Sequence, residues 1–203
     1  MTSVAPPAAQ AMPPAAVALL LRLAVHHADT WRHSLRVGRL AALLAERAGL
    51  AGALGPGLAA AASLHDIGKL RVPRLLLDKP DALAPDEQTW FRRHTSDGAA
   101  LLAKAEGSGL AIAIARHHHE RWDGSGYPQG LRGEAIPLAA RLVSLVDVYD
   151  AIRAPRAYNP AQTHATAMAI MHRIQTEFDP ALFQAFAAAA DAIRAASEQD
   201  ATP

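Results

Sequence analysis

The amino-acid sequence predicts an all-α protein that folds as a single domain. Apolar residues recur at helical spacing almost everywhere, and no segment shows the β-branched alternation that is typical of strands. The chain has 203 residues, of which 51% are hydrophobic and 19% are charged, and this is enough to bury one sizeable core. These observations favour one compact helical bundle.

The helical pattern divides into segments with ordinary start and stop signals. Gly49 and Gly68 follow the second and third segments, and Pro85, Pro137 and Pro180 suit the first turns of later helices. The predicted helices cover residues 15–28, 30–48, 57–67, 85–96, 97–105, 108–119, 137–153, 160–175 and 180–196.

The composition excludes several kinds of site. The chain has no cysteine, which rules out disulfides, thiolate zinc sites and cysteine nucleophiles. A bound metal must therefore be held by imidazole and carboxylate groups, and ten histidines are present. The net charge is +1 without a Lys/Arg-rich run, so the electrostatic footprint of a duplex nucleic-acid binder is missing. A small anionic ligand is compatible with this charge.

The two ends of the chain are expected to lie outside the folded domain. Residues 1–14 are rich in Ala and Pro and are predicted to be disordered, residues 15–197 form the domain, and residues 198–203 form a flexible C-terminus. No basic n-region precedes the apolar run at 17–21, and Arg22 interrupts that run before it could span a membrane. We therefore expect a cytoplasmic protein.

The most informative stretch is HHHERWDGSGYP at residues 117–128. A histidine cluster that runs into a Gly-rich Tyr-Pro turn is atypical of a core and predicts a metal site with a substrate loop attached. The segment 120–137 contains four glycines and is long for a helix–helix connection, which favours a functional loop.

A second anchor is SLHDIGK at residues 63–69, where a very apolar helix ends in His65 and Asp66. A buried charge at this place needs a partner or a metal. The alternative is a core histidine beside a C-capping aspartate. Because a carboxylate has two oxygens, Asp66 could bridge two cations about 3.5–4 Å apart.

Two further pairs have suitable spacing for a metal centre. His118 and His119 diverge by about 100° on a helix, so they can serve two metals while His117 faces elsewhere. Asp147 and Asp150 lie three apart in a strongly apolar helix, where uncompensated carboxylates call for a cation. A solvated stripe is the alternative for the aspartates.

Asp29, His33 and His94 are weaker candidates when each is taken by itself. Asp29 and His33 are four apart and can share one helix face, but an acid at a helix start and a solvated histidine explain them equally. His94 alone has the character of a surface histidine. Their assignment as metal ligands depends on the other candidate residues of the same site.

Taken together, these residues resemble a known family. HDIGK at 65–69, His94, HHERWDGSGYP at 118–128 and Asp147 match, in this order, the motifs of the HD-GYP family of cyclic di-GMP phosphodiesterases. The resemblance runs from about residue 29 to residue 187. It implies an all-helical bundle of the HD metal-dependent phosphohydrolase superfamily with a Gly-rich substrate loop.

The resemblance also implies a ligand set for two divalent metal ions. In family members with a third metal, an acidic residue four positions before the first histidine contributes, and Asp29 takes that place here. Aspartate is one methylene shorter than the usual glutamate, which argues against a third metal. The implied metal ligands are Asp29, His33, His65, Asp66, His94, His118, His119 and Asp147. Nitrogen and oxygen ligands without thiolates fit iron or manganese better than a structural zinc, with zinc and nickel as alternatives. The resemblance implies iron first and manganese next.

Substrate residues follow from the same resemblance. Lys69 would contact the scissile phosphate or the leaving oxygen, although an exposed lysine at a helix end is the alternative. The family's Arg-Pro-Tyr-Arg/Lys string reads Arg-Ala-Tyr-Asn at residues 156–159, so Asn159 lacks the second cation and predicts altered substrate binding. The implied substrate residues are Lys69, Asp123, Gly126, Tyr127, Pro128 and Arg156.

The implied activity is hydrolysis of cyclic di-GMP to linear pGpG, either stopping there or continuing to GMP, with Asp66 and Lys69 as the catalytic residues. A catalytically weak cyclic-dinucleotide sensor or interaction module, and a phosphohydrolase for another cyclic dinucleotide, are the alternatives. The first helix carries Leu19, Leu20, Leu21 and Leu23 and could pack on a second subunit as easily as on its own core, so a homodimer and signalling-protein partners are compatible with the sequence.

Overall fold

A computed structural model of the protein describes residues 12–154 and 162–198. Over these residues the chain is helical, with short 3-10 segments and no β-strand, so the predicted all-α fold class is confirmed. The predicted helix 180–196 is divided at Ala189. The α-helices are α1 (Pro14–His26), α2 (Ala28–Arg47), α3 (Ala51–Leu54), α4 (Leu58–Ala62), α5 (Arg74–Leu77), α6 (Pro85–Arg92), α7 (His94–Lys104), α8 (Gly109–His117), α9 (Leu138–Arg153), α10 (His164–Arg173), α11 (Pro180–Ala188) and α12 (Ala190–Glu198).

Helix α9 lies at the centre of the bundle. Ten of its 16 residues are buried, and they include the unbroken run from Leu142 to Asp147, so α9 is covered on more than one side by other helices. It packs against α2, α8, α10 and α11. Asp147 and Asp150 are buried within it, so the alternative of a solvated carboxylate stripe is wrong.

Helix α2 is the second long helix of the core. Its buried residues Val37, Leu40, Ala41 and Leu44 recur every three or four positions, as expected of an amphipathic helix with one face in the core. This face packs on α4 and α9. The packing brings the second turn of α2, with His33, beside the C-terminal half of α9.

The third predicted helix, 57–67, is shorter than expected. It ends at Ala62, and His65 and Asp66 lie in the turn before a 3-10 segment, Ile67–Arg71. A Cβ atom on Gly68 would lie 1.9 Å from the backbone oxygen of His94, so only glycine lets this segment touch α7. The close contact brings Asp66 to the start of α7.

Two more boundaries differ from the prediction next to histidines. The break between α6 and α7 falls at Arg93 rather than after residue 96, so His94 is the first residue of α7. Helix α8 ends at His117, and His118 and His119 lie in the turn beyond it. These histidines therefore project from helix ends and not from helix faces.

Some predictions fall on residues that the structure does not describe. These are most of the N-terminal segment 1–14, most of the C-terminal segment 198–203, Arg156 and Asn159, and the start of the predicted helix 160–175. Among the described residues, none of the helices combines the length and the apolarity that a membrane span requires.

Candidate metal centre

Seven side chains, Asp66 among them, come from five parts of the fold and form one cluster. They comprise one residue of α2, two of the turn after α4, the first residue of α7, two of the turn after α8 and one of α9. Three overlapping groups have ligand atoms that all lie within 4.8 Å of one another: Asp66 with His94, His118 and His119; His33 with His65 and Asp66; and His65 with His118 and Asp147.

The two carboxylate oxygens of Asp66 face different sets of imidazoles. Oδ2 lies 3.5 Å from Nε2 of His65 and 4.0 Å from Nε2 of His33. Oδ1 lies 3.5 Å from Nε2 of His94 and 3.8 Å from Nε2 of His118. We call His33, His65 and Asp147 the His33 half of the centre, and His94, His118 and His119 the His94 half.

These separations suit metal ligation. Two ligand atoms at about 2.1 Å from one ion lie no more than about 4.2 Å apart. The distances from Asp66 to both halves fall within this limit, and one oxygen is available for each half. Asp66 is thus arranged as a carboxylate that can bridge two cations.

Three of the imidazoles are oriented by the helix that precedes them. Nδ1 of His65 donates to the backbone oxygen of Ala62 at 2.9 Å, and Nδ1 of His94 donates to that of Phe91 at 2.7 Å. Nδ1 of His118 lies 3.1 Å from the Ile114 oxygen. A carbonyl can only accept, so each Nδ1 carries the proton and each Nε2 keeps a lone pair. The lone pairs point into the centre, as metal-binding histidines require.

The centre contains buried polar atoms without hydrogen-bond partners among the described residues. They are Nε2 of His65, His94 and His118, and Oδ1 of Asp66. An unsatisfied buried polar atom costs about 1–3 kcal/mol, so four in one place require an explanation. Divalent cations would satisfy all four atoms, and nitrogen and oxygen donors without thiolate fit such ions.

His33 has a different environment from the other ligands. Its Nδ1 lies 2.6 Å from Oδ2 of Asp150 and its Nε2 lies 2.9 Å from Oδ1 of Asp147. Arg36 donates from Nε and from an amino group to the two oxygens of Asp150, each at 2.8 Å. Asp150 therefore orients His33 and is itself held by Arg36. A cation bound by His33 and Asp147 would replace the proton on Nε2.

The two halves differ in charge. Burial opposes protonation of His33, but the hydrogen bonds to Asp147 and Asp150 outweigh it and raise the pKa of His33 to about 9. Burial lowers the pKa of His94 to about 4 and that of His118 to about 3. The His94 half thus presents neutral imidazoles, which are the ligand form of histidine.

The Gly-rich loop after α8 folds back onto the ligand turn. The Tyr127 ring stacks on the His119 ring with centroids 4.8 Å apart and planes at 26°, and the Tyr127 backbone N–H donates to the His119 oxygen at 3.1 Å. A Cβ atom on Gly126 would lie 2.4 Å from the Arg121 nitrogen, so the contact depends on glycine. The peptide bond between Tyr127 and Pro128 is cis.

Glu120 anchors the far end of this loop. Glu120 is buried, with 2% of its surface exposed. Its carboxylate accepts hydrogen bonds from the backbone N–H groups of Gln129 at 2.8 Å and Leu131 at 3.0 Å. The loop is thereby tied to the residue directly after the ligand His119. Glu120 holds the loop that carries Tyr127 against the centre.

Two predicted substrate residues, Lys69 and Asp123, form hydrogen bonds to neighbouring side chains. Nζ of Lys69 donates to Oδ2 of Asp66 at 2.6 Å, which brings a cation to the edge of the centre. The Asp123 carboxylate accepts from the backbone N–H and the hydroxyl of Ser125, at 2.9 and 2.6 Å, and so closes a turn of the loop. Asp123 is exposed and lies outside the ligand groups.

The structure does not bring Asp29 to the centre. Its side chain is 85% exposed and forms an ion pair with Arg32 at 2.8 Å. The spacing of four from His33 is met, but Asp29 lies in the first turn of α2, where its own side chain is in solvent. Arg156 lies outside the described residues.

Sequence reasoning missed three supporting residues. The sequence predicts Asp150 only as a cation ligand, whereas it orients His33, and it predicts no role for Arg36 or Glu120. The spacing of three from His33 to Arg36 and from Asp147 to Asp150 gives a signal for the first two, because it places each pair on one helix face. The adjacency of Glu120 to the ligand histidines is the signal for the third.

Comparison with known proteins now identifies the fold family. The family model of the HD domain matches residues 17–182. The chain belongs to the HD domain family. The match covers most of the described chain and includes every residue of both halves of the centre.

Several curated proteins resemble this HD domain. A probable cyclic di-GMP phosphodiesterase of Vibrio cholerae is 48% identical over 135 residues, which are 62% of this chain and 31% of that protein. A cyclic di-GMP phosphodiesterase of Pseudomonas aeruginosa is 40% identical over 174 residues, 85% of this chain and 42% of that protein. A 3'3'-cGAMP-specific phosphodiesterase of Vibrio cholerae is 37% identical over 142 residues, 70% of this chain and 33% of that protein.

These relatives confirm the resemblance to HD-GYP phosphodiesterases that the sequence predicts. The chain spans less than half the length of each of the three proteins.

Solved structures share the fold. The HD domain of the phosphodiesterase PgpH from L. monocytogenes, in complex with cyclic-di-AMP, matches with a TM-score of 0.65 at 20% identity, over 92% of this chain and 98% of that chain. A HDG"Y"P protein from Bdellovibrio bacteriovorus matches with a TM-score of 0.62 at 24% identity, over 75% of this chain and 49% of that chain. At these identities the likeness concerns the fold.

Proposed function

We propose that this HD domain is a metal-dependent phosphodiesterase that hydrolyses cyclic di-GMP to linear pGpG, either as the final product or on the way to GMP. The observation that carries the proposal is Asp66, whose two buried oxygens face two separate sets of histidines. The phosphodiesterase names of the relatives support the substrate class. The function is assigned to residues 15–197.

The two halves of the centre would each hold one divalent ion and would share Asp66. Two cations held by these residues would supply charge neutralisation at phosphate oxygens and would lower the pKa of bound water to about 7. Imidazole and carboxylate ligands suit both iron and manganese, and the family resemblance is the reason for proposing iron first and manganese next. The exposed Asp29 supplies no argument for a third ion.

The chain's own residues would position the substrate and handle its charge. Lys69 lies at the edge of the centre, where its ammonium group can donate to a phosphate oxygen or to the departing 3′-oxygen. Tyr127 offers a ring beside His119 for stacking on the substrate. Gly126 and Pro128 shape the loop and Asp123 closes its turn, while Arg156 is assigned to a phosphate from the family motif alone.

The wider setting of the domain is proposed from weaker observations. Leu21 and Val25 are exposed on α1, at 60% and 84%, and an apolar helix face of this kind suits a homodimer or a signalling-protein partner. A cytoplasmic location agrees with hydrolysis of an intracellular second messenger. Duplex nucleic acid is not proposed as a ligand because the net charge is only +1.

A second candidate function is hydrolysis of a different cyclic dinucleotide. The relative named as a 3'3'-cGAMP-specific phosphodiesterase favours this candidate, and so does Asn159, which alters the family's phosphate-binding string. The same asparagine motivates the third candidate, a cyclic-dinucleotide sensor with little turnover. Product analysis with a panel of cyclic dinucleotides separates the enzyme candidates, and calorimetric binding without turnover identifies the sensor.

The proposed function is tested by anaerobic turnover of cyclic di-GMP with iron-loaded or manganese-loaded protein, followed by chromatography. We expect linear pGpG to accumulate with the wild type. The matched control, Asp66→Asn, removes one bridging oxygen and should abolish product formation. A wild type that binds two metal ions and leaves cyclic di-GMP intact under reducing conditions would contradict the proposal.

A further inference from the structure

Arg92 is an exposed arginine at the C-terminal end of α6, two residues before the metal ligand His94. The central carbon of its guanidinium lies 5.0 Å from the centroid of the Tyr127 ring. Tyr127 in turn stacks on His119. The guanidinium is therefore one aromatic ring away from a ligand of the His94 half.

Two arginines near this loop, Arg121 and Arg141, are already bound to carboxylates. Arg121 donates to Ser144 at 2.7 Å and to Glu177 at 3.2 Å. Arg141 pairs with Asp179 at 2.6 Å. By contrast, no carboxylate among the described residues pairs with Arg92.

The contact with Tyr127 leaves Arg92 able to bind an anion. A guanidinium over an aromatic ring is held through its face and stem, while the N–H donors at its edges stay available. These donors match the oxygens of a phosphate in a bidentate arrangement. The contact thus holds a phosphate-binding group one aromatic ring away from the ligand His119.

A cyclic dinucleotide has two phosphodiesters, and only one can lie at the metal centre at a time. The other carries a negative charge outside it. At Asn159, where the family's string has a second cation, this chain has none. We propose that Arg92 binds the phosphate that is not being cleaved, an inference that rests on the proposed function.

The experiment compares Arg92→Met, Arg92→Lys and Arg93→Met in the metal-loaded protein. Methionine keeps an unbranched side chain against Tyr127 and removes the charge, while lysine keeps the charge. Arg93 is the adjacent exposed arginine, so Arg93→Met is a control with the same change of net charge. The KM and kcat for cyclic di-GMP and the metal content are measured for each variant.

We expect Arg92→Met to raise KM about tenfold, the loss of one exposed charge-assisted contact, with kcat and metal content within about twofold. Arg92→Lys should recover most of the affinity, and Arg93→Met should match the wild type. Bis(p-nitrophenyl) phosphate has no second phosphate, so its hydrolysis should not change in Arg92→Met. Cyclic di-AMP should lose affinity as much as cyclic di-GMP, because both carry the second phosphate.

Four results would overturn the inference. The first is an equal KM for Arg92→Met and Arg93→Met, and the second is a fall in kcat or metal content of Arg92→Met in place of a rise in KM. The third is an equal loss of bis(p-nitrophenyl) phosphate hydrolysis in Arg92→Met. The fourth is a loss of affinity in Arg92→Met for cyclic di-GMP but not for cyclic di-AMP. Each leaves wild-type turnover intact and therefore spares the proposed function. A wild type that neither hydrolyses nor binds cyclic di-GMP would overturn both.

Discussion

The two halves of the metal centre hold their histidines in different ways. In the His94 half, His94 and His118 donate to backbone carbonyls of the helix end just before them. In the His33 half, His33 donates to Asp150, which lies 117 residues away and is held by Arg36. The His94 half is supported by local backbone, whereas the His33 half combines one histidine on local backbone, His65, with one held by a charged network between two helices, His33.

The difference has a consequence for metal binding. A carboxylate behind a histidine raises its basicity as a ligand, whereas a backbone carbonyl only orients the ring. We therefore expect the His33 half to bind its ion more tightly. The predictions below test whether the halves are separable and what supports each one.

The largest effect is expected when one ligand of either half is removed. His33→Ala and His118→Ala should each keep about one ion in place of two, because the ligands of the other half stay in position. Turnover should fall at least about a hundredfold, since lost charge stabilisation of this kind costs about 10²–10³. Elemental analysis and initial rates measure both quantities.

His117→Ala is the matched control for these two variants. It removes a histidine adjacent to His118 that belongs to none of the ligand groups, so both ions should remain. If His118→Ala loses both ions, the two halves are not separable sites.

The next largest effect concerns the support of His33. Asp150→Asn should weaken the tighter ion about 10–100-fold, because loss of a carboxylate partner of a metal-binding histidine has this cost. The affinity of the His94 half should not change. Competition with a coloured chelator gives both affinities, and circular dichroism verifies that the variant is folded. Unchanged affinity in both halves would contradict the assigned role of Asp150.

A smaller effect is expected at the loop anchor. Glu120→Gln leaves one oxygen to accept a backbone N–H but sets an amide donor against the other, which costs about 1–3 kcal/mol. We expect kcat/KM to fall about tenfold, with two ions still bound. Steady-state kinetics and metal analysis check this. Wild-type kinetics in the variant would show that the loop does not depend on Glu120.

The smallest effect is expected at Asp29. An exposed ion pair such as Asp29 with Arg32 contributes about 0–1 kcal/mol, so Asp29→Ala should leave activity and metal content within about twofold of the wild type. Metal analysis and turnover test this directly. A loss of metal in this variant would restore Asp29 as a ligand.

The sequence predicts the helices and most ligands of the centre, but not the helix ends beside the ligand histidines. The helical spacing of apolar residues predicts the helices, and the His and Asp motifs predict the residues that form the metal centre. The ends of α4, α6 and α8 were predicted too late in the chain. At each of these ends a ligand histidine donates a hydrogen bond to a backbone carbonyl of the last helical turn, as His65 does to Ala62. The spacing of apolar residues does not reveal such a cap.

The tertiary supports were harder to predict. Asp150 orients His33 only because α2 packs on α9, and Glu120 binds backbone nine and eleven residues further along a folded loop. Asp29 fails for the opposite reason. Its spacing from His33 is correct, but Arg32 is close enough to pair with it on the solvent side.

The most direct test of the account is the metal content of wild type and Asp66→Asn after anaerobic loading with manganese. The account predicts about two ions per chain in the wild type, since each Asp66 oxygen faces one half. It predicts less than one ion in the variant, with the fold retained by circular dichroism. Two ions in a folded Asp66→Asn protein would contradict the claim that this carboxylate joins the two halves.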